Sequence, residues 1–290
     1  MLEMTVADLA CEALVEEPGV WPRFGLVGPE TAGSHDDMDY GLLVRSATAL
    51  RPHFEDSARL GFRNIRDPGA SFQLFRQRGV IAEREMLHAT GGVNTHKGAI
   101  FMLGLIGHAW ARIQALRLHE GRPGRPSATA VLDEAFRTAA PSMRRELRHP
   151  HAGFSQTYGE WALIRHGWRG IRGAVLDGFA TLRRAFHWLL RHRHLARARA
   201  LGFLRHSFFA ASEDTNLLKR AGYDRARQLV KASRRLLAQG SVLHPGGARN
   251  VMAFERLLLQ QRLSGAAAGD MLAALLFLTK LHEHGHLAAA

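Results

Sequence analysis

Apolar residues recur three and four positions apart along most of this chain, and the strict alternation of a half-buried strand is scarce. That spacing places side chains on one face of a 3.6-residue helix. In the stretch 71–90 it runs through Leu74, Phe75, Val80, Ile81, Met86 and Leu87. The same reading predicts helices over 6–17, 39–50, 97–118, 128–147, 175–193, 224–239, 251–263 and 270–282. The expected fold is therefore all-α, a multi-helix bundle-like arrangement with long loops. Gly121-Arg122-Pro123-Gly124-Arg125-Pro126 cannot continue a helix and parts the chain into two halves. In a bundle it serves equally as a long surface connection, so one domain over 1–290 is expected. The stretches 150–153 and 240–247 are expected to be further loops.

With 290 residues, 46% of them hydrophobic, the chain can bury a substantial core. Its formal net charge of +13 attracts polyanions, which admits nucleic acid, an anionic membrane or phosphorylated metabolites as partners. Much of the excess lies in 183–205, at Arg184, Arg191, Arg193, Arg197 and Arg199, and reads as a solvated helical face that also takes in His187, His192, His194 and His206. No zinc-finger or RNP-type pattern promotes a nucleic-acid partner. The most apolar stretches, 99–110 and 266–278, fall short of a bilayer span, and Asp270 interrupts the second. Glu3, Asp8, Glu12, Glu16 and Glu17 are the opposite of a basic leader. The single cysteine, Cys11, excludes an internal disulfide framework and fits a reducing compartment. The expectation is a cytoplasmic protein without a membrane partner.

Four segments carry residues suited to chemistry. In Gly91-Gly92-Val93-Asn94-Thr95-His96-Lys97 two glycines let backbone approach a ligand, and capping-type residues precede a long apolar helix. Such a helix start offers N–H groups to an anion, and Lys97 adds a positive charge; the plain alternative is an ordinary capped helix with a surface lysine. His96 could orient a substrate or move a proton. The acidic run Asp36-Asp37-Met38-Asp39 suits Mg²⁺ held with substrate phosphates, or else the favoured negative start of a helix. Glu213-Asp214-Thr215-Asn216 offers cation or ribose ligands, or a helix cap. The stretch 167–178 contains Arg172, a phosphate fork if it faces the site and otherwise part of a surface turn. Glu83 and Glu85 stand in the helix before the glycine pair. The formal HExxH match at 282–286 contains Gly285 at a chain end, and is set aside as a zinc motif.

Taken in order, these elements resemble the triphosphoribosyl-dephospho-CoA synthases. The stretch 91–105, GGVNTHKGAIFMLGL, is similar to that family's signature; 22–27 resembles its PKPGLV element and 33–40 its GSHxDMD element. The helix 82–90, the stretches 170–179 (GARGEAxxGF) and 214–218 (DTNLL), and 264–273 (SPGGSADLLA) complete the series. The resemblance implies attack of the 2′-hydroxyl of 3′-dephospho-CoA on C1′ of ATP, with adenine leaving and an α-linked product. It implies ATP and dephospho-CoA as substrates, Mg²⁺ as cofactor, and a carrier-protein transferase as recipient of the product. The product would be the prosthetic-group precursor of malonate decarboxylase, the choice favoured by the lack of a fused transferase domain, or of citrate lyase. A homodimer is a further expectation.

On this reading Gly91, Gly92, Asn94, Thr95, Lys97, Arg172 and Asn216 hold phosphates or ribose. Asp36, Asp37 and Asp214 bind Mg²⁺, and Glu83, Asp37 and His96 are catalytic, with Glu83 as general base. Departures stand at Arg23, Phe24 and Gly28, at Ala174, and at Gly265-Ala266-Ala267. They leave open a divergent Mg²⁺-dependent N-glycosidic or ADP-ribosyl hydrolase, or a non-catalytic nucleotide-binding relative.

Overall fold

The computed structural model describes residues 2–148 and 157–288, so the loop expected at 150–153 lies outside the described residues. Among those described, fourteen α-helices and no strand are present; the only extended pairing is an isolated bridge between Gly28 and Thr31. The all-α expectation holds. Two helices organise the rest: α5 (Lys97–His119) and α14 (Ala266–Glu283) are apolar around nearly their whole circumference, as helices enclosed on every side must be. Around α5 pack α1 (Leu2–Glu16), α3 (Arg51–Arg63), α4 (Pro68–Ala89), α6 (Ala128–Arg148) and α14 itself. Around α14 pack α1, α5, α9 (Ala180–Arg191) and α10 (Arg197–Ala211). One cluster of buried side chains runs from Val6 to Leu287, so 121–126 is a surface connection rather than a boundary.

At 23 residues α5 is longer than the 99–110 stretch that marks it in the sequence, and long and apolar enough to cross a membrane; here most of it is buried inside the protein. Its fit against α3 depends on small and polar side chains. A Cβ at Gly61 would stand 2.1 Å from the His108 carbonyl oxygen, so only glycine permits this crossing. His53 Nε2 meets the Ile100 carbonyl at 3.0 Å, and His108 bridges Ser71 and the Ser57 carbonyl. Burial holds His53 and His108 neutral, each pushed down to about 4.

Boundaries follow local chemistry. Asp39 caps α2 (Tyr40–Ala49) by accepting from the Leu42 amide, and Asp67 caps α4, whose first residue is Pro68. The helix expected over 175–193 is instead two, α8 (Ile171–Leu176) and α9, because Gly178 and Phe179 between them take positive φ. Four further helices have no counterpart among the expected spans: α3, α7 (Tyr158–His166), α10 and α11 (Thr215–Ala221). The remainder are α12 (Tyr223–Ala238) and α13 (Gly247–Gln260).

The basic stretch 183–205 is not one solvated face. Arg205 is fully buried and donates to the Glu17 carboxylate and to the Val20 and Glu17 carbonyls. His206, expected on the surface, is also buried, bonded to Ser241 and the Ser233 carbonyl and pushed down to about 4 by desolvation. Arg197 bridges Glu16 and Glu283. The HExxH geometry is broken, since α14 ends at Glu283 and Gly285 turns the chain with positive φ.

Candidate active site

The N-terminal ends of α5, α11 and α14 meet at the floor of a cleft of about 970 Å³. Asp37, Glu83, Asn94, Thr95, His96, Lys97, Arg172, Asp214 and Asn216 all line it. Residues scattered over 180 positions of sequence are thus gathered by the helical packing, which is the strongest structural feature of the candidate site. Three sequence candidates do not line it: Asp36, Gly91 and Gly92. Asp36 is 74% exposed and pairs with Arg262 at 2.9 Å. Gly91 and Gly92, both at positive φ, reverse the chain after α4, and the Gly92 amide donates to the Leu87 carbonyl at 2.7 Å. They make the turn that delivers 94–97.

The start of α5 is already occupied by a side chain from within the protein. Asp270, on the first turns of α14, lies against Gly98, where a Cβ would stand 1.9 Å from Asp270 Oδ2. The Ala99 amide donates to this carboxyl. Nearby, the His96 amide donates to Met86 Sδ at 3.2 Å and the Lys97 amide to Asn94 Oδ1 at 3.3 Å. The His96 and Lys97 amides are therefore engaged within the protein, and the Ala99 amide is engaged by Asp270. Burial, with the charges of Asp214 and Glu17 beside it, pushes the Asp270 carboxyl up to about 8. The sequence carried its signal in a lone carboxyl inside the apolar run 266–278, but the reading used it only as an interruption.

Asp214 is buried and caps α11, Oδ1 accepting from the Asn216 and Leu217 amides at 2.8 and 2.9 Å, while Oδ2 accepts from Ala267 at the start of α14. Burial raises its carboxyl and these three donors oppose the rise. Asp37 faces the cleft beside His35, 3.6 Å away. Asp36, Asp37 and Asp214 therefore do not converge, and no group of three or more His, Cys, Asp or Glu side chains among the described residues forms a metal shell. Of the carboxylates assigned to Mg²⁺, Asp36 is outside the cleft and Asp214 already accepts three amides, while Asp37 faces inward and could hold the ion together with substrate phosphates.

His96 is buried, its Nδ1 sharing a 2.8 Å hydrogen bond with Ser46 Oγ, which in turn meets Thr95 Oγ1 at 2.6 Å. Desolvation pushes its imidazole down to about 4, so it is neutral at physiological pH and positions the 94–97 turn. Lys97 pairs with Glu83 at 2.5 Å, which ties up both the expected phosphate cation and the expected base. Other cations take over the cleft's positive side. Arg172 and Lys219 line it, and among the described residues neither has a carboxylate partner; Lys219 lies over the Tyr158 ring. Arg169, also in the cleft, is committed to Asp177 and Glu213, and Arg220 braces the Ser34 and Arg262 carbonyls. The cleft thus sets carboxyl groups at its floor against unpaired cations at its wall, an arrangement suited to a phosphorylated sugar reacting at carbon.

The departures at Arg23, Phe24, Gly28 and Gly265 are accommodated behind this surface. A Cβ at Gly28 would stand 2.1 Å from Arg23 Nε, so the arginine fills the space that any side chain there would claim. The Phe24 amide, which a proline would lack, donates to Glu255 at 3.1 Å, and its ring packs against Phe209. A Cβ at Gly265 would strike the same Phe209 ring at 2.4 Å.

A probable 2-(5''-triphosphoribosyl)-3'-dephosphocoenzyme-A synthase of Albidiferax ferrireducens is 35% identical over 286 residues, covering 96% of this chain and 91% of the relative. Similarly named proteins of Salmonella choleraesuis and Streptococcus pyogenes are 32% and 31% identical, covering 93% and 96% of this chain and 89% and 97% of their own lengths. No solved structure matches. Residues 3–288 match the family described as ATP:dephospho-CoA triphosphoribosyl transferase. On the match of nearly the whole chain, and on the relatives' identities, the protein belongs to the ATP:dephospho-CoA triphosphoribosyl transferase family.

Proposed function

We propose that this chain joins the triphosphoribosyl unit of ATP to the 2′-hydroxyl of 3′-dephospho-CoA and releases adenine. The observation that carries the reading is the Asp270 carboxyl, held largely protonated at neutral pH on the floor of a cleft whose wall carries unpaired Arg172 and Lys219. A cleft of about 970 Å³ lies at the upper end of the small-molecule range of roughly 300–1,000 Å³, as two nucleotide substrates require.

The step is a single displacement. The 2′-oxygen bonds to C1′ as the C1′–N9 bond breaks, and the bonding pair departs with adenine, inverting the carbon. Asp270 gives its proton to the departing base, and Asp37 receives the proton of the 2′-hydroxyl; exchange with water restores both. Carboxyl groups in unlike environments divide acid and base roles in this way in other glycosyl transfers. Arg172 and Lys219 seat the triphosphate, and the Lys97–Glu83 pair borders the entrance. No step is routed through Mg²⁺. The product would be the prosthetic-group precursor for the carrier subunit of malonate decarboxylase or citrate lyase, passed on by a carrier-protein transferase.

Incubation with ATP and 3′-dephospho-CoA, followed by mass analysis, tests the reading. The joined product and one equivalent of adenine are expected, with turnover lost in Asp37→Asn and Asp270→Asn. Adenine or ADP-ribose appearing without dephospho-CoA would instead indicate a hydrolase.

A further inference from the structure

The arginines of 183–205 that are not committed to structure share a second concavity. Arg183, Arg184, His187, Arg191 and Arg193 line a pocket of about 710 Å³ with His282 near the end of α14. Of these, Arg183 is paired with Asp133 at 2.7 Å. Among the described residues Arg184, Arg191 and Arg193 have no carboxylate partner, whereas Arg197 and Arg205 of the same stretch are each paired with glutamate. Arg184 touches only the Thr181 hydroxyl, at 3.2 Å, and Leu190 and the His282 ring, edge-on to Phe186, give the pocket an apolar floor. Guanidinium groups brought together without acidic partners repel one another, and the arrangement is relieved only by counterions or an anionic ligand.

We infer that this pocket is a polyphosphate-binding site separate from the active-site cleft. Twelve residues of α14 separate Asp270 from His282, about 18 Å along the axis at 1.5 Å per residue, and the pocket and the cleft share no lining residue. The cations converge on a concavity instead of forming a stripe, which favours a small polyanion over a nucleic-acid backbone. Guanidinium forks match phosphate oxygens, so the ligand class is a chain of phosphoryl groups, free or carried by a nucleotide.

The test uses inorganic tripolyphosphate and calorimetric titration of the full chain. An Arg172→Ala, Lys219→Ala background weakens the cleft, leaving one tripolyphosphate site at the end of α14. Adding Arg184→Glu and Arg191→Glu, both solvent-facing, should weaken that site at least tenfold, while Arg227→Glu with Lys231→Glu on α12 should leave it within twofold. Binding of ATP no tighter than tripolyphosphate identifies the phosphate chain as the recognised group; much tighter ATP binding that is lost with the same two arginines identifies a nucleotide as its carrier. Absence of binding in the cleft-weakened protein overturns the inference, as does equal weakening by the α12 variant, which would reduce the effect to bulk charge. The measurement does not depend on transferase turnover, so it succeeds or fails apart from the proposed function.

Discussion

Replacing Asp270 by asparagine separates what this residue does for the reaction from what it costs the fold. The amide is nearly isosteric and its oxygen still accepts from the Ala99 amide, so packing against Gly98 is retained. Burial raises the carboxyl from 3.8, its ordinary value, to about 8 in the native cleft. A carboxyl raised on folding favours the native state only while protonated: the native state is undisturbed below the unfolded value and loses stability as pH rises towards the folded one. At about 1.36 kcal/mol per unit, the loss grows from about 2 kcal/mol at pH 5 to about 4 at pH 7. Asp270→Asn removes the ionisable group, and should therefore be more stable than the parent by those amounts. Urea denaturation of both proteins at pH 5, 6 and 7 measures the gap directly. The same variant should lose about 10²–10⁴-fold in turnover if the carboxyl donates the proton to adenine. A stability gap that does not change with pH, or a variant less stable than the parent at pH 7, would refute the reasoning and make Asp270 a plain structural anion for the start of α5.

Gly98→Ala places a methyl group where the Asp270 carboxyl lies, and should reduce turnover at least 100-fold with the fold intact by circular dichroism. Arg172→Ala and Lys219→Ala should each raise the KM for ATP about tenfold with a smaller change in kcat, because they act on phosphates distant from C1′. Arg205→Ala leaves Glu17 buried without its partner and should cost about 3–5 kcal/mol in urea denaturation. His206 is held down to about 4 against 6.5 unfolded, so its stabilising neutrality is complete above about pH 7 and fades as pH falls towards 4; His206→Asn should lose about 1.4 kcal/mol less than the parent between pH 8 and 5.5.

The two central helices are legible because their runs are strongly apolar, and several cleft residues because capping and acidic types cluster just ahead of α2, α5 and α11. What escaped notice did so for a physical reason. The buried face of α3 is His53, Phe54, Ser57, Ala58 and Gly61, a surface that hydrophobic periodicity does not register because polar groups on it are satisfied by α5. In α10 the buried set includes Arg205 and His206, whose partners Glu17, Ser241 and Ser233 come from distant segments. Pairing across the chain decides whether a cation is inside or outside, and one sequence does not show its pairs. Asp270 is the same case at the site: Gly98 makes its seat, 172 positions away.

The departures from the family pattern bear on whether the site works, and their locations argue that it does. Arg23 covers Gly28, Phe24 fills a buried aromatic cluster with Phe209 and Phe254, and Gly265 yields space to that same Phe209. These are adjustments to one another on the packed side of the 22–28 loop, whereas the groups that face the cleft, Asp37, Arg172, Asp214, Lys219 and Asp270, remain. The changes at Ala266 and Ala267 do touch the cleft, but there the working group is backbone: the Ala267 amide donates to Asp214 at 2.9 Å, a bond any residue except proline supplies. Ala267→Pro therefore distinguishes the two possibilities. If the clamp between α11 and α14 holds the floor of the cleft together, this substitution should lower both stability and turnover, while Ala267→Ser should leave both near parental values; equal turnover in the two variants would mean that Asp214 does not need the bond.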